Sequence, residues 1–328
     1  MADTKKPIPF GRKVLYGAEY VLCASALAVF RVLPVAVASR IAGGAGNLAF
    51  RVLSRRRALA VGNILSAGIA DSPREARRIA RASFRNFAHT IVGTFLLAGI
   101  KHKSLKEHFD IEIPPATQEL FRDGKRGVIL VSGHIGNWEA AAIVTSFFKP
   151  LTVIQRPMNN PYIQRLLVSK RLRSAFATMD KHVANPHRLV TVLRSGGVLA
   201  ILPDQHATSG NIWIDFFGRP ASTYVTPAVL HLLTRAPIVM CVCLNTPRPL
   251  HYAYTLSEPM VFERTKDRAA DTEAITRILS RKLEEIIRAN PEQYLWAHRR
   301  WRTPPAEADE TPKSPKKPNP SKTEESHV

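Results

Sequence analysis

Between Gly127 and Ser132 the chain reads Gly127-Val128-Ile129-Leu130-Val131-Ser132, a continuous apolar run stopped at both ends by turn-forming residues. A strand of that texture has no face left for water, so it belongs inside a parallel sheet covered by helices on both sides. The same texture returns from Leu151 to Gln155, from Gly197 to Leu202 and from Pro237 to Leu244, with a further strand expected from His251 to Leu256. Helical segments fall between and after them: Trp138 to Phe148, Pro161 to Phe176, Pro186 to Arg194 and Thr272 to Ala289. Strands alternating with helices predict an α/β fold, with a largely parallel sheet flanked by helices. The chain has no internal repeat.

The first hundred residues differ. Asp71-Ser72-Pro73-Arg74-Glu75 has the form of a helix start, with a capping hydroxyl, Pro in the first turn and an acidic residue after it. From Glu75 to Leu97 apolar residues then recur at helical spacing, at Ile79, Ala82, Phe87, Ile91 and Phe95. Upstream, Lys5, Lys6, Arg12 and Lys13 precede a mostly apolar stretch from Val14 to Phe50, broken by Glu19, Arg31, Pro34 and Arg40. The uncharged run from Tyr20 to Phe30 falls short of the roughly 20 residues a span requires. Joined across Arg31, it gives Tyr20 to Ser39 as a candidate span. Arg51, Arg55, Arg56 and Arg57 follow, so positive charge flanks both ends and selects no orientation. No small-residue cleavage site follows a clean apolar region, which argues against a signal peptide. A basic, hydrophobic segment lying in the interface of an anionic membrane fits better; the bland alternative is a pair of core helices. Three parts are expected: a helical, membrane-associating region over 1–100, the α/β domain over 101–302, and a disordered tail over 303–328, rich in Pro, Lys, Ser and Glu.

Charge narrows the partners. With 47 Lys+Arg against 26 Asp+Glu the chain carries +21, which points to nucleic acid, anionic lipid or an acidic protein. A nucleic-acid-binding protein is therefore the rival class. Against it, the basic residues are dispersed, with no zinc-ligand spacing, RNP block or helix-turn-helix. The 3 cysteines, Cys23, Cys241 and Cys243, cannot build a disulfide framework and read as small apolar fillers in a reducing compartment. No cofactor motif is present, neither a nucleotide-cradling loop nor a metal-ligand set, so no ATP, NAD or catalytic metal is expected.

Chemistry concentrates at Ser132-Gly133-His134-Ile135-Gly136-Asn137-Trp138-Glu139. A histidine just past a strand end is followed by a carboxylate in the first helical turn. On an ideal helix positions i and i+5 lie about 140° apart and would not meet. With His134 in the strand-to-helix turn, however, Glu139 can reach back to the ring, fix its tautomer and leave the other nitrogen as a general base. Gly133 and Gly136 permit close backbone approach, and turn N–H groups there can face a developing anion. On spacing alone a structural histidine is an equal reading. No nucleophile-elbow serine is present.

The block from Gly133 to Glu139 resembles the His-x4-Asp/Glu motif of the glycerolipid acyltransferase superfamily, and more narrowly the late acyltransferases of lipid A assembly in Gram-negative bacteria. Further blocks follow in that family's order: Gln155-Arg156-Pro157-Met158-Asn159-Asn160-Pro161, Leu202-Pro203-Asp204-Gln205, Phe216-Phe217-Gly218-Arg219-Pro220-Ala221, Pro291-Glu292-Gln293-Tyr294-Leu295-Trp296 and His298-Arg299-Arg300. The departure lies at Asn63-Ile64, followed by Leu-Ser-Ala-Gly where the family has a Phe-Pro pair. The resemblance implies acyl transfer from an acyl carrier protein to a hydroxyl of a lipid A precursor, at the cytoplasmic face of the inner membrane, by a peripheral or once-spanning protein. It implies His134 as base and Glu139 as its orienting partner. Arg156 is expected to hold an oxyanion or an acceptor phosphate, with Asn137 as a second donor, and Asp204 and Gln205 to position substrate. The absence of a nucleophile beside His134 implies direct attack without an acyl-enzyme. The same motif also serves lysophospholipid, ornithine-lipid and glycolipid acceptors. Phe216 to Pro220 reads alone as an exposed aromatic loop with a turn, touching acceptor, with a loop packed on the core as the equal alternative. His298 to Arg302 reads as a basic-aromatic cluster suited to an anionic interface or as a solvated basic face.

Overall fold

The computed structural model describes residues 8–173, 176–180 and 185–302; the expected tail falls outside them. Four helices lead: α1 (Phe10–Val32), α2 (Val35–Val52), α3 (Ser54–Ser66) and α4 (Pro73–Leu96). A short α5 (Leu105–His108), β1 (Phe109–Glu112) and α6 (Pro115–Arg122) join them to β2 (Val128–Val131) and α7 (Trp138–Phe148). Then come β3 (Leu151–Gln155), α8 (Pro161–Arg173), β4 (Ala177–Asp180), α9 (Pro186–Arg194) and β5 (Val198–Ile201). A hairpin of β6 (Asn211–Phe216) and β7 (Arg219–Tyr224) precedes α10 (Thr226–Thr234), β8 (Ile238–Asn245), β9 (Tyr252–Leu256) and α11 (Arg268–Ala289).

The main sheet has 7 strands in the order β1-β9-β8-β2-β5-β3-β4. All neighbours are parallel except β8 and β9, so the α/β expectation of a largely parallel sheet holds. Strands β2 and β5 sit at its centre and are buried along their whole length, as an apolar run without alternation demands. Helices cover both faces through two apolar clusters, one built on Ile129, Val131 and Ile201, the other on Val128, Leu130 and Val198. The first cluster takes in Phe50, Ile64, Ile79 and Phe84, so α2, α3 and α4 share a core with the sheet. Cys241 and Cys243 are buried in the second cluster as apolar fillers.

Several expectations need correction. Phe176, expected inside a helix, instead leads into the edge strand β4, and the helix is described over Pro161–Arg173. The Tyr20 to Ser39 candidate is not one helix, because Leu33 and Pro34 take extended backbone and separate α1 from α2. The apolar helix is instead Phe10–Val32, 23 residues with none buried, long and apolar enough to cross a membrane. Phe216 to Pro220 is the hairpin turn, with both Phe216 and Phe217 buried against Trp301 and Trp296. At α4 the start is as expected, Ser72 accepting the Glu75 backbone N–H at 3.2 Å. The buried face is another matter: Phe87 and Ile91 lie exposed while Asn86 and Thr90 are buried.

Candidate active site

Those buried polar residues of α4 hold the turn that follows β2. The Gly136 carbonyl accepts the Thr90 hydroxyl at 2.8 Å and the Asn86 amide at 3.2 Å. On the other side the Gly136 backbone N–H donates to Gln293 O, and Leu295 N–H donates to His134 O. Gly136 has φ of +60°, and a Cβ there would stand 2.1 Å from the Cys243 carbonyl oxygen, so glycine is required. Asn137 then caps α7, its Oδ1 accepting the Ala140 N–H at 3.0 Å. The turn is fixed from three directions.

His134 is the product of that rigidity. Its backbone N–H donates to Asp204 Oδ2 at 2.8 Å, and its Nδ1 stands 2.8 Å from Asp204 Oδ1. One carboxylate thus grips both main chain and ring. Asp204 follows β5, which lies beside β2, so both residues meet at the carboxyl edge of the sheet, where α/β proteins place ligand groups. With Nδ1–H donating to Asp204, the Nε2 lone pair points outward and accepts from Gln205 Nε2 at 3.2 Å. Trp138 walls the ring, centroids 5.0 Å apart, and Phe87 stacks behind it at 6.2 Å.

Burial works most strongly against charge on both partners. For His134, the charge and hydrogen bond of Asp204, with the charge of Glu139, outweigh it and raise the ring above its ordinary pKa. For Asp204, His134 and the nearby Arg300 outweigh burial, and the carboxyl is held below its ordinary value. Burial, with the charge of Asp204 beside it, raises the Tyr294 hydroxyl well above its ordinary pKa. His298 lies close by, and burial lowers it to about 4, with Arg300 and Arg302 adding to the fall, so it is neutral when His134 titrates.

Of the residues singled out from sequence, His134, Asp204 and Gln205 come together. The carboxylate on the ring is Asp204, not Glu139: α7 begins at Trp138 and carries Glu139 along with it, so Glu139 influences the ring through its charge. Both carboxylate oxygens of Asp204, expected to position substrate, are instead engaged by His134. Asn137 is buried, its oxygen engaged by α7 and its amide nitrogen lying against Gly93 and the Tyr252 hydroxyl, which removes it as an oxyanion donor. Arg156 sits exposed just beyond β3, at the same sheet edge. The cluster from His298 to Arg302 divides: Arg299 and Arg302 are exposed, whereas Arg300 is buried and bonds Thr223 Oγ1 at 2.6 Å and the Ser222 carbonyl. Its guanidinium also lies 4.9 Å over the Phe216 ring. Tyr294, Asn86 and Thr90 went unnoticed as site residues. For Tyr294 the C-terminal block was the available signal; for the other two, polar residues inside an apolar helical repeat.

A histidine–carboxylate pair whose outer nitrogen faces only the Gln205 amide, at the carboxyl edge of a helix-covered sheet, has the geometry that general-base chemistry needs. Residues 8–303 match the family of bacterial lipid A biosynthesis acyltransferases, and the chain belongs to that family. It is an acyltransferase family, and membership sets aside the nucleic-acid reading of the charge. The lipid A biosynthesis lauroyltransferase of Escherichia coli K12 is 25% identical over 278 residues, covering 83% of this chain and 88% of that one. The palmitoleoyltransferase of the same organism is 25% identical over 264 residues, 79% and 83% of the two chains. A phosphatidylinositol mannoside acyltransferase of Mycolicibacterium smegmatis is 25% identical over 225 residues, 65% and 70% of the two.

Proposed function

We propose that this protein transfers a fatty acyl chain from an acyl carrier protein thioester to a hydroxyl of a lipid A precursor, by direct attack. The observation that carries the reading is the two-point grip of Asp204 on His134, which leaves Nε2 as an oriented base. The acceptor hydroxyl takes the place of the Gln205 amide at Nε2. As its oxygen bonds the thioester carbonyl carbon, its proton passes to Nε2 and the carbonyl electrons move to oxygen. Asp204 stabilises the imidazolium at Nδ1, helped by the charge of Glu139. Arg156, exposed at the same edge, meets the oxyanion or an acceptor phosphate. When the intermediate collapses the carbon–sulfur bond breaks, and Nε2–H returns the proton to the carrier thiolate. Nothing in this cycle calls for a cofactor.

Direct attack is supported by what faces the base. Nε2 meets Gln205 rather than a serine or cysteine, and burial pushes the Cys241 thiol up to about 12. The apolar α1 and the outward side of α2 attach the enzyme to the anionic cytoplasmic face of the inner membrane, where both lipid acceptor and soluble donor are within reach. The test is acyl transfer by purified protein with lauroyl and longer carrier donors, read by product mass. Transfer to a lipid A precursor upholds the reading. Transfer only to lysophospholipid, ornithine lipid or glycolipid would keep the chemistry and replace the acceptor, an outcome to which the mannoside acyltransferase relative lends weight. A covalent acyl adduct on the protein would refute direct attack.

A further inference from the structure

A basic surface lies on α4, lined by none of the residues that surround His134. Arg74, Arg77, Arg78, Arg81 and Arg85 follow one another at helical spacing and line an open cavity of about 660 Å³ beside Phe50. All five are exposed. Arg78 is ion-paired to Glu75 and Glu292, and Arg81 donates to Asn47 at 2.8 Å. Arg74, Arg77 and Arg85 have no carboxylate partner among the described residues. Like charges at these spacings repel, and Arg74 in addition sits in the first turn, at the positive end of the helix dipole. Such an array is destabilising when empty and is relieved by a bound anion.

The shape and setting say which anion. The array is all arginine, whose planar fork matches phosphate oxygens in pairs. It lines a concavity of headgroup size, where a protein surface would meet a flat patch. Beside it, the end of α2 presents Leu48, Val52 and Leu53 outward. Arg57 lies over the Phe50 ring at 5.7 Å, adding charge at the same rim. We propose that the α4 arginine cavity is a binding site for the phosphate of an anionic membrane phospholipid, separate from the catalytic edge, which seats the enzyme on phosphate-rich lipid. This rests on the membrane attachment proposed above, and goes beyond it by assigning the anion selectivity to α4.

The test is partition of the full-length protein onto phosphatidylcholine vesicles with and without added phosphatidylglycerol. Binding to pure phosphatidylcholine reads attachment through α1 and α2; the ratio between the two vesicles reads the arginine site. In the Arg74→Gln, Arg77→Gln, Arg81→Gln triple variant the ratio should fall by about a hundredfold, with phosphatidylcholine binding unchanged. The corresponding triple Lys variant, which keeps the charge but not the planar fork, should recover only part of the ratio. In detergent, KM for the carrier-bound donor should equal that of wild type. An unchanged ratio in the Gln variant overturns the site. A raised donor KM with an unchanged ratio overturns it too, and would make the cavity the docking surface of the acidic carrier.

Discussion

At the carboxyl edge of the sheet Asp204 and Arg300 are buried, whereas along α1 and α2 Phe10, Leu22, Val32 and Val52 lie open to the surroundings. One region takes ionic groups out of water, and the other leaves apolar groups in it. Each arrangement is costly alone. Buried charge is tolerated where every partner is in place, and here Asp204 meets two groups of His134 and the field of Arg300. Exposed apolar surface of this extent marks a contact with something else, and a 23-residue apolar helix is long enough for the membrane attachment proposed above. The first region is rigid because catalysis needs an oriented base; the second needs no internal partner.

Substitutions can break this contrast in order of size. His134→Ala should lower kcat of acyl transfer by about ten-thousandfold while leaving the circular dichroism spectrum as in wild type, with Tm lowered because buried Asp204 loses its ring partner. Trp296→Ala removes one of the largest fully buried side chains and should destabilise by about 4 kcal/mol, read by denaturant unfolding. Arg300→Met strips charged donors from Thr223 and the Ser222 carbonyl, and should cost about 3 kcal/mol in the same measurement. Leu22→Ser, on exposed α1, should change stability by less than about 0.5 kcal/mol yet weaken binding to phosphatidylcholine vesicles. If Leu22→Ser destabilised as much as Arg300→Met, the distinction between the two regions would collapse.

The central strands and the histidine were legible in the sequence because each has a local signature. An apolar run such as Val128 to Val131 can only be a buried strand, and His134 sits at its end. Strands at the sheet margins were not legible: Phe109–Glu112 and Ala177–Asp180 are short and half solvated, and have no such run. The hairpin was hidden because Phe216 and Phe217 are buried by tryptophans some eighty residues further on, Trp296 and Trp301. At the site, spacing favours the nearest carboxylate in sequence, Glu139, whereas the partner is Asp204, beyond the end of the neighbouring strand. Parallel pairing of β2 with β5 makes that contact, and pairing is not written in spacing. On α4 the helical period was plain but not which face turns inward, since the turn at Gly136 recruits Asn86 and Thr90 as donors.

In the proposed mechanism Asp204, rather than Glu139, holds the imidazole of His134 and raises its pKa. The pH dependence of kcat/KM for acyl transfer tests it in wild type, Asp204→Asn and Glu139→Gln. Asp204 raises the His134 pKa, so its removal lets the ring lose its proton at lower pH, and the acid limb should move down while the plateau falls about a thousandfold. Glu139→Gln should move the limb the same way by less and keep the plateau within about tenfold. A thousandfold loss in Glu139→Gln beside a near-wild-type Asp204→Asn would contradict the account.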